Sequence, residues 1–191
     1  MGKDIVAVFQ TPPPATAMGF PVLTSTRLRP VCTTLRAESS YDTPSAPGAV
    51  IPLTVADLAR DASLIVRGSV AEKTTHWQAD GRGRMIVADW SVDVDEVLKG
   101  ALPHADDRVV QVECEGGTIG ATTVFSCEEA GLAPAEDVVL FLVPHPERPG
   151  FYRTYGWFQG KYSIVGGMVR EALNTPYSEF KRQVVGAARS R

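Results

Sequence analysis

Three cysteines, three histidines and a closely spaced set of carboxylates are the side chains of this sequence that could do chemistry. Cys32, Cys114 and Cys127 form no C-x-x-C pair, and His76, His104 and His145 are scattered. A structural zinc site wants soft ligands in close local pairs, so no metal site is expected. A nucleophilic serine on a strand-to-helix elbow would need G-x-S-x-G, which the sequence lacks. Cys114 alternates with Val110 and Val112 and reads as a small buried hydrophobe rather than a thiolate nucleophile. His145 lies between Pro144 and Pro146 with no partner in its local sequence. The run GGTIGATT has neither the phosphate-loop spacing nor the dinucleotide fingerprint, and β-branched residues follow it, so it reads as a hairpin turn. Asp89, Asp93 and Asp95 share one face of a strand. Paired carboxylates could serve glycoside chemistry or hold calcium. Carboxylates at even spacing are also how a strand solvates its outer face, and that reading is adopted. No catalytic residue, metal or cofactor is expected.

The aromatic run is more suggestive. Tyr152, Tyr155, Trp157, Phe158 and Tyr162 crowd into eleven positions. On an uninterrupted strand, Tyr155 and Trp157 would face one way and Tyr152 and Phe158 the other. One set must fill a core. The other is free to pack under a helix or loop, or to form a stacking surface. Tyr152, Tyr155, Trp157 and Phe158 are therefore the candidate ligand-binding residues.

These side chains need elements to position them, and the strongest element signal is MIVADWSVDVDEVLKG, Met85–Gly100. Ile86, Ala88, Trp90, Val92 and Val94 alternate with polar residues, a period of two that only a half-buried strand satisfies. Glu96 breaks the series and Val97 resumes it out of phase, which predicts a bulge. The run ASLIVRGSVAE predicts another strand, with Gly68 marking a bend or the close approach of a second backbone. Lys73 to Arg84 read as a polar loop carrying Trp77. Val110 to Cys114 and Thr122 to Phe125 read as strands, and Val138–Val143, apolar throughout, as a strand buried on both faces. Ile164-Val165 and Met168-Val169 flank Gly166-Gly167, a hairpin signature. Thr54 with Asp57 predicts the start of a short helix over Val55–Arg60 anchored by Leu58. Thr175 and Pro176 predict the start of a terminal helix in which Phe180 and Val184 meet. Strands in succession without intervening helices argue for an antiparallel barrel or sandwich.

Composition narrows the function classes. With 19 basic against 22 acidic side chains, the formal net charge is -3. No electrostatic footprint for a nucleic-acid backbone follows from that balance. No apolar run approaches the roughly 20 residues that span a bilayer. The opening MGKDIVAVFQTPPP has too short an apolar run for a secretory signal, so no signal peptide is expected and the compartment stays open. Residues 1–50 hold Pro12-Pro13-Pro14, Pro21, Pro30, Pro44 and Pro47 with no lasting period, and are expected to be a disordered tail. Residues 51–191 are expected to form the folded domain.

The pieces ASLIVRGSV, VDEVLKG, ECEGG, AEDVVLFL and WFQGKYSIVGG together resemble small bacterial β-barrel domains of the OB type, themselves similar to tissue inhibitors of metalloproteinases and netrin modules. The similarity covers about Thr54 to Arg170. It implies a mainly β fold, a single antiparallel OB-like barrel with a short N-terminal helix and a C-terminal helix. It implies a binding habit rather than a reaction: a non-catalytic module for a protein or other extracytoplasmic ligand. The inhibitors' metal-chelating N-terminal cysteine has no counterpart, since the chain begins Met1-Gly2-Lys3. A nucleic-acid-binding OB module and a small hydrolase with an unrecognised site are the alternatives. An oxidising compartment, implied by the resemblance alone, would allow a disulfide between Cys114 and Cys127. The Gly-rich reversal they enclose can bring their Cα atoms within the roughly 4.4–6.8 Å the bond needs.

Overall fold

The computed structural model describes residues 7–10, 51–80, 83–102, 108–126 and 129–190. Over them the chain is mainly β with two helices. A short strand β1 (Ala7–Gln10) precedes helix α1 (Val55–Asp61) and two 17-residue strands, β2 (Leu64–Asp80) and β3 (Gly83–Lys99). Strands β4 (Val109–Glu115), β5 (Gly117–Ile119), β6 (Thr122–Phe125) and β7 (Asp137–Pro144) follow. After β8 (Phe151–Thr154) come a one-turn 3-10 helix (Trp157–Gly160), β9 (Lys161–Val165), β10 (Met168–Val169), β11 (Thr175–Pro176) and helix α2 (Tyr177–Arg189). Of the expected tail, only Ala7–Gln10 are described, and they are a strand laid antiparallel on β6. No helix among the described residues is long and apolar enough to cross a membrane.

The organising strand keeps its expected face. Ile86, Ala88, Trp90, Val92 and Val94 are buried, whereas Asp93 and Asp95 are exposed. The expected slip is present as well: β2 and β3 change register between Ile65 and Val66 and again between Arg67 and Gly68, where the partners pass over Leu98 and Asp95. Gly68 sits at this second irregularity because nothing larger fits. A Cβ there would lie 2.2 Å from the Asp93 carbonyl oxygen. The polar loop expected over Lys73–Arg84 is mostly strand instead. Lys73 pairs with Trp90 and the ladder continues to Asp80 opposite Gly83. Cross-strand pairing with β3 makes the Thr-Thr-His-Trp stretch a strand although its own pattern has no apolar face. Trp77 stands on this arm with the Arg84 guanidinium 4.9 Å from its ring centroid.

The main sheet has eight strands in the order β11-β10-β9-β7-β2-β3-β4-β8, with an additional pairing between β7 and β8. β7 divides one edge between two neighbours: Asp137–Leu140 pair with β9, and Leu142–Pro144 pair with β8. The expectation of purely antiparallel pairing fails at one place. β4 and β8 run parallel, through Gln111 opposite Phe151 and Val112 opposite Tyr152. A β8 that is antiparallel to β7 and reached by a short loop points the same way as β4, so the sheet is mixed. A second sheet, β1-β6-β5, stands apart. It is tied to the β2–β3 arm by Gly116 N donating to Ile86 O and Thr75 Oγ1 donating to Thr118 O.

Two cores result from one sheet. Leu64, Val66, Val70, Ala88, Trp90, Val92, Val94, Val110, Val112, Cys114, Val138, Leu140 and Leu142 form the first. The opposite phase of β2 and β7, with Ile65, Val139 and Phe141, joins Leu58 and Ala59 of α1 and Phe180 and Val184 of α2 in the second. The start of α1 is a full capping box: Asp57 N donates to Thr54 Oγ1 and Thr54 N donates to Asp57 Oδ2. α2 starts later than expected, at Tyr177, because Thr175 and Pro176 pair with β10 as β11. Its docking is polar at one end, where the Tyr177 hydroxyl donates to Glu96 Oε2 and Lys181 pairs with Glu96 Oε1.

Trp90 is 5% exposed and sits mid-strand in the first core. Trp90→Ala should cost about 3–5 kcal/mol, as loss of a large buried aromatic does. The urea midpoint will fall accordingly, and an unchanged midpoint would mean that the first core is not organised on this face.

Candidate functional site

The four aromatic candidates do not share a strand. β8 ends at Thr154, and Gly156 and Trp157 both take positive φ, 72° and 55°. The chain turns over into the 3-10 helix there, so the two-face alternation expected for Tyr155 and Trp157 against Tyr152 and Phe158 is broken after Thr154. Tyr152 is partly buried against the first core and Tyr155 against the second, where its hydroxyl donates to Asp61 Oδ2 at 3.2 Å. Trp157 and Phe158, consecutive in the 3-10 helix, are instead each 48% exposed.

The turn that carries them is held from both sides. Gly160 has no room for a side chain, since a Cβ would lie 2.2 Å from Tyr155 O. Gln159 ties the turn to the segment before α1: its Oε1 accepts from Leu53 N at 2.8 Å and its Nε2 donates to Ile51 O. Ile51 itself is 78% exposed. Leu53 is packed against the second core and would meet any Cβ at Gly156. Trp157 and Phe158 are thus exposed on a turn that Gln159 hydrogen-bonds to the exposed segment holding Ile51.

A second constellation was not visible from spacing. Glu113 is out of phase with the buried residues of β4 yet is 1% exposed. The β7–β8 loop folds over it. Glu113 Oε1 faces His145 Nε2 at 2.9 Å and accepts from Arg153 Nη2 at 2.9 Å, and its Oε2 accepts from Arg148 Nη1. Arg148 also grips Asp89 through both Nη1 and Nη2, at 2.7 and 2.9 Å, and lies over the Phe151 ring. His145 Nδ1 accepts from the backbone N–H of Glu147 and of Arg148 at 3.1 and 3.0 Å. With Nδ1 an acceptor, the ring proton is on Nε2 and is donated to Glu113. Burial by itself would raise the Glu113 carboxyl. Hydrogen bonds from Arg148 and Arg153, with His145 adding, outweigh it and hold the group below the usual carboxylate range. Asp89, expected to be plainly solvated with Asp93 and Asp95, belongs to this cluster. His145, which showed no partner in the sequence, is one of its two buried members.

Chemically the cluster is a closed account of donors and acceptors: both Glu113 oxygens are occupied, and both imidazole nitrogens are engaged. Cys114, next along β4, points into the first core, and burial pushes its thiol far above the ordinary range. Such a thiol is inert as a nucleophile. It is free in this structure. Cys127, its expected disulfide partner, lies outside the described residues, as do Cys32 and His104. Glu129 behaves differently from Glu113: burial, aided by the nearby Glu115 carboxylate, pushes it up to about 7. Among the described residues no group of three or more His, Cys, Asp or Glu side chains is arranged to hold a metal ion. The sequence matches no family model, and a search of curated proteins finds no match.

Glu113→Gln should destabilise the fold by about 1–3 kcal/mol at neutral pH, because two partly exposed guanidinium groups, one of them still paired with Asp89, lose their shared counter-charge. The sign with pH follows from the depressed carboxyl. Its contribution is complete above the unfolded value, about 4.3, and is lost as pH falls through the lower folded value. Urea titrations of both proteins from pH 7 downwards will therefore show the gap closing in acid. A gap constant to the lowest pH would mean that Glu113 is not the ionised hub.

Proposed function

We propose that this chain is a non-catalytic binding module of the OB-barrel type that docks a protein partner through Trp157 and Phe158. The strand pairings support the barrel part of this reading. β7 pairs with β2, β2 with β3, β3 with β4, β4 with β8, and β8 again with β7. Five strands linked in a circuit leave few free edges, which is the construction principle of small barrels. β9, β10 and β11 then extend outward from β7.

The observation that carries the binding part is the exposed aromatic turn. A tryptophan at positive φ is costly backbone, since only Gly and, less often, Asn or Asp visit that region readily. Such strain at an exposed, rigidly supported aromatic is the pattern of a preformed anchor. Trp and neighbouring aromatics supply most of the affinity at interface centres, and a rigid turn spares the entropy of ordering them on binding. Against a hydrolytic role stands the Glu113 cluster, whose carboxylates and imidazole are engaged with one another. Against nucleic acid stands the net charge of -3.

The test is comparative capture from cells of the source organism with the wild-type chain, Trp157→Ala/Phe158→Ala and Trp77→Ala. Trp77 is an exposed tryptophan on the β2–β3 arm, outside this turn. A specific partner should be retained by wild type and Trp77→Ala and lost by the double variant. Truncating two anchors of this kind costs about 2 kcal/mol or more each, at least a thirtyfold loss of affinity apiece. A partner held equally by all three proteins would overturn the reading.

A further inference from the structure

We propose that residues 129–136 form a pH-responsive flap on the first core, closed while the Glu129 side chain is uncharged and released when it ionises. The flap does not rest on the role of the aromatic turn. Ala130 is 2% exposed, and Leu132 packs against the first core. The downstream part of the segment is stitched in place. Ala135 N donates to Val70 O at 2.7 Å, and Val70 N donates to Glu136 O at 2.9 Å. Ala133 N donates to Glu136 Oε2 at 3.1 Å. Lys161 Nζ lies 2.8 Å from Glu136 Oε1 and also donates to Gly131 O. Opening gives up the solvent-exposed Gly131 contact, and Lys161 keeps Glu136. These bonds make the downstream part the hinge and the upstream part the moving end.

The moving end is held by a titratable group. The Glu129 carboxyl accepts from the backbone N–H of Glu115, the last residue of β4, and lies close to Cys114. The charged groups facing it are the carboxylates of Glu115 and Glu113 on β4 and the guanidinium of Arg153 on β8. Arg153 already donates to Glu113 Oε1 at 2.9 Å. Lys161 and Lys73 act on the neighbouring Cys114, and Lys161 is engaged by Glu136. A third carboxylate charge at this place is poorly solvated and repelled by the other two. Burial first, and then the Glu115 charge, accordingly push the Glu129 carboxyl up to about 7. The sign with pH follows. Neutral Glu129 contributes fully to closure below the open-state value, about 4.3, and that contribution is lost as pH rises to about 7. The Glu113 carboxyl is depressed and has the opposite sign, so acid acts on the β7–β8 loop and alkali on the flap.

Cys114, 5% exposed in the first core, reports on opening. Its alkylation in the full chain is followed by peptide mass, which separates it from Cys32 and Cys127. Each rate is divided by that of the urea-unfolded chain at the same pH, which removes the titration of the thiol itself. From pH 6 to pH 8 the wild-type ratio should rise about tenfold, as a carboxyl moving between about 4.3 and about 7 requires. In Glu129→Gln, whose neutral amide keeps an acceptor for the Glu115 N–H, it should stay within about twofold. Hydrogen exchange of the wild type over the same series, corrected for intrinsic rates, should show the Glu115 amide losing protection as pH rises while Val139 and Phe141 of β7 stay protected. A flat wild-type ratio, a Glu129→Gln ratio that rises as steeply, or a Glu115 amide whose protection does not change would each overturn the proposal. Parallel loss at Val139 and Phe141 would do so too, because the event would then be unfolding of the whole domain. The exchange series needs only the wild type, so it decides even where Glu129→Gln does not fold.

Discussion

The main sheet and both helices of this structure answer to the demand that β7 be buried on both faces. Val138, Leu140 and Leu142 fill the first core, and Val139 and Phe141 fill the second, all fully excluded from solvent. A strand of that kind must be covered above and below. β2, β3 and β4 turn one face toward it, and the two helices close the other. Its hydrogen-bonding edges are just as crowded, with β2 along one side and β9 and β8 sharing the other. The division of that last edge is what brings β8 alongside β4. It also launches the β7–β8 loop from the point where His145 and Arg148 can reach Glu113. Substituting any one of these five apolar residues would be felt in a core and in the geometry of the polar cluster together.

What was legible in the sequence was whatever is decided locally or by period. Alternation through Ile86–Val94 identified the buried face of β3, and the continuous Val138–Val143 run identified β7. The Thr54–Asp57 pair marked α1, and Gly166-Gly167 marked the β9–β10 hairpin, whose register places Val165 opposite Met168. The failures have two causes, strand pairing and a backbone turn. Lys73–Asp80 has no apolar face of its own, and becomes strand only because residues 83–90 of the same hairpin lie beside it. The aromatic run from Tyr152 to Phe158 looks extended by composition, yet Gly156 in the left-handed region turns it over. Thr175 and Pro176 carry helix-start chemistry, but pairing with β10 claims them first. In the first and last of these a tertiary partner overrides a local preference, whereas at Gly156 the break is a local one.

The Glu113 cluster was hidden for a related reason. Glu113 lies 32 residues from His145, 35 from Arg148 and 40 from Arg153, and Arg148 lies 59 from Asp89. No spacing rule reaches across such distances. One signal was present: a glutamate between Val112 and Cys114 on a strand whose opposite face needs covering, followed later by a loop rich in His, Glu and Arg. Burying a carboxylate there is costly on its own terms, so the arrangement is best understood as a device for fixing the loop's position. Two guanidiniums and an imidazole define one geometry, whereas an apolar contact would tolerate several.

The positive-φ residues complete the argument about where this protein commits its conformational strain. Glycine takes most of the left-handed positions, as it should. The exceptions include Trp157, Leu173 and Asn174, at φ 55°, 54° and 57°. Asparagine is a natural occupant of that region. Tryptophan and leucine are not, and both are exposed, Leu173 at 95%. Were backbone geometry the only requirement, glycine or asparagine would meet it with less strain and without presenting apolar surface to water. At Trp157 the surrounding turn is pinned by Gln159 and by the tight contact at Gly160. Strain, exposure and rigid support coincide at this turn. That coincidence, more than aromatic content, distinguishes it from Trp77, whose ring lies under an arginine on a regular strand.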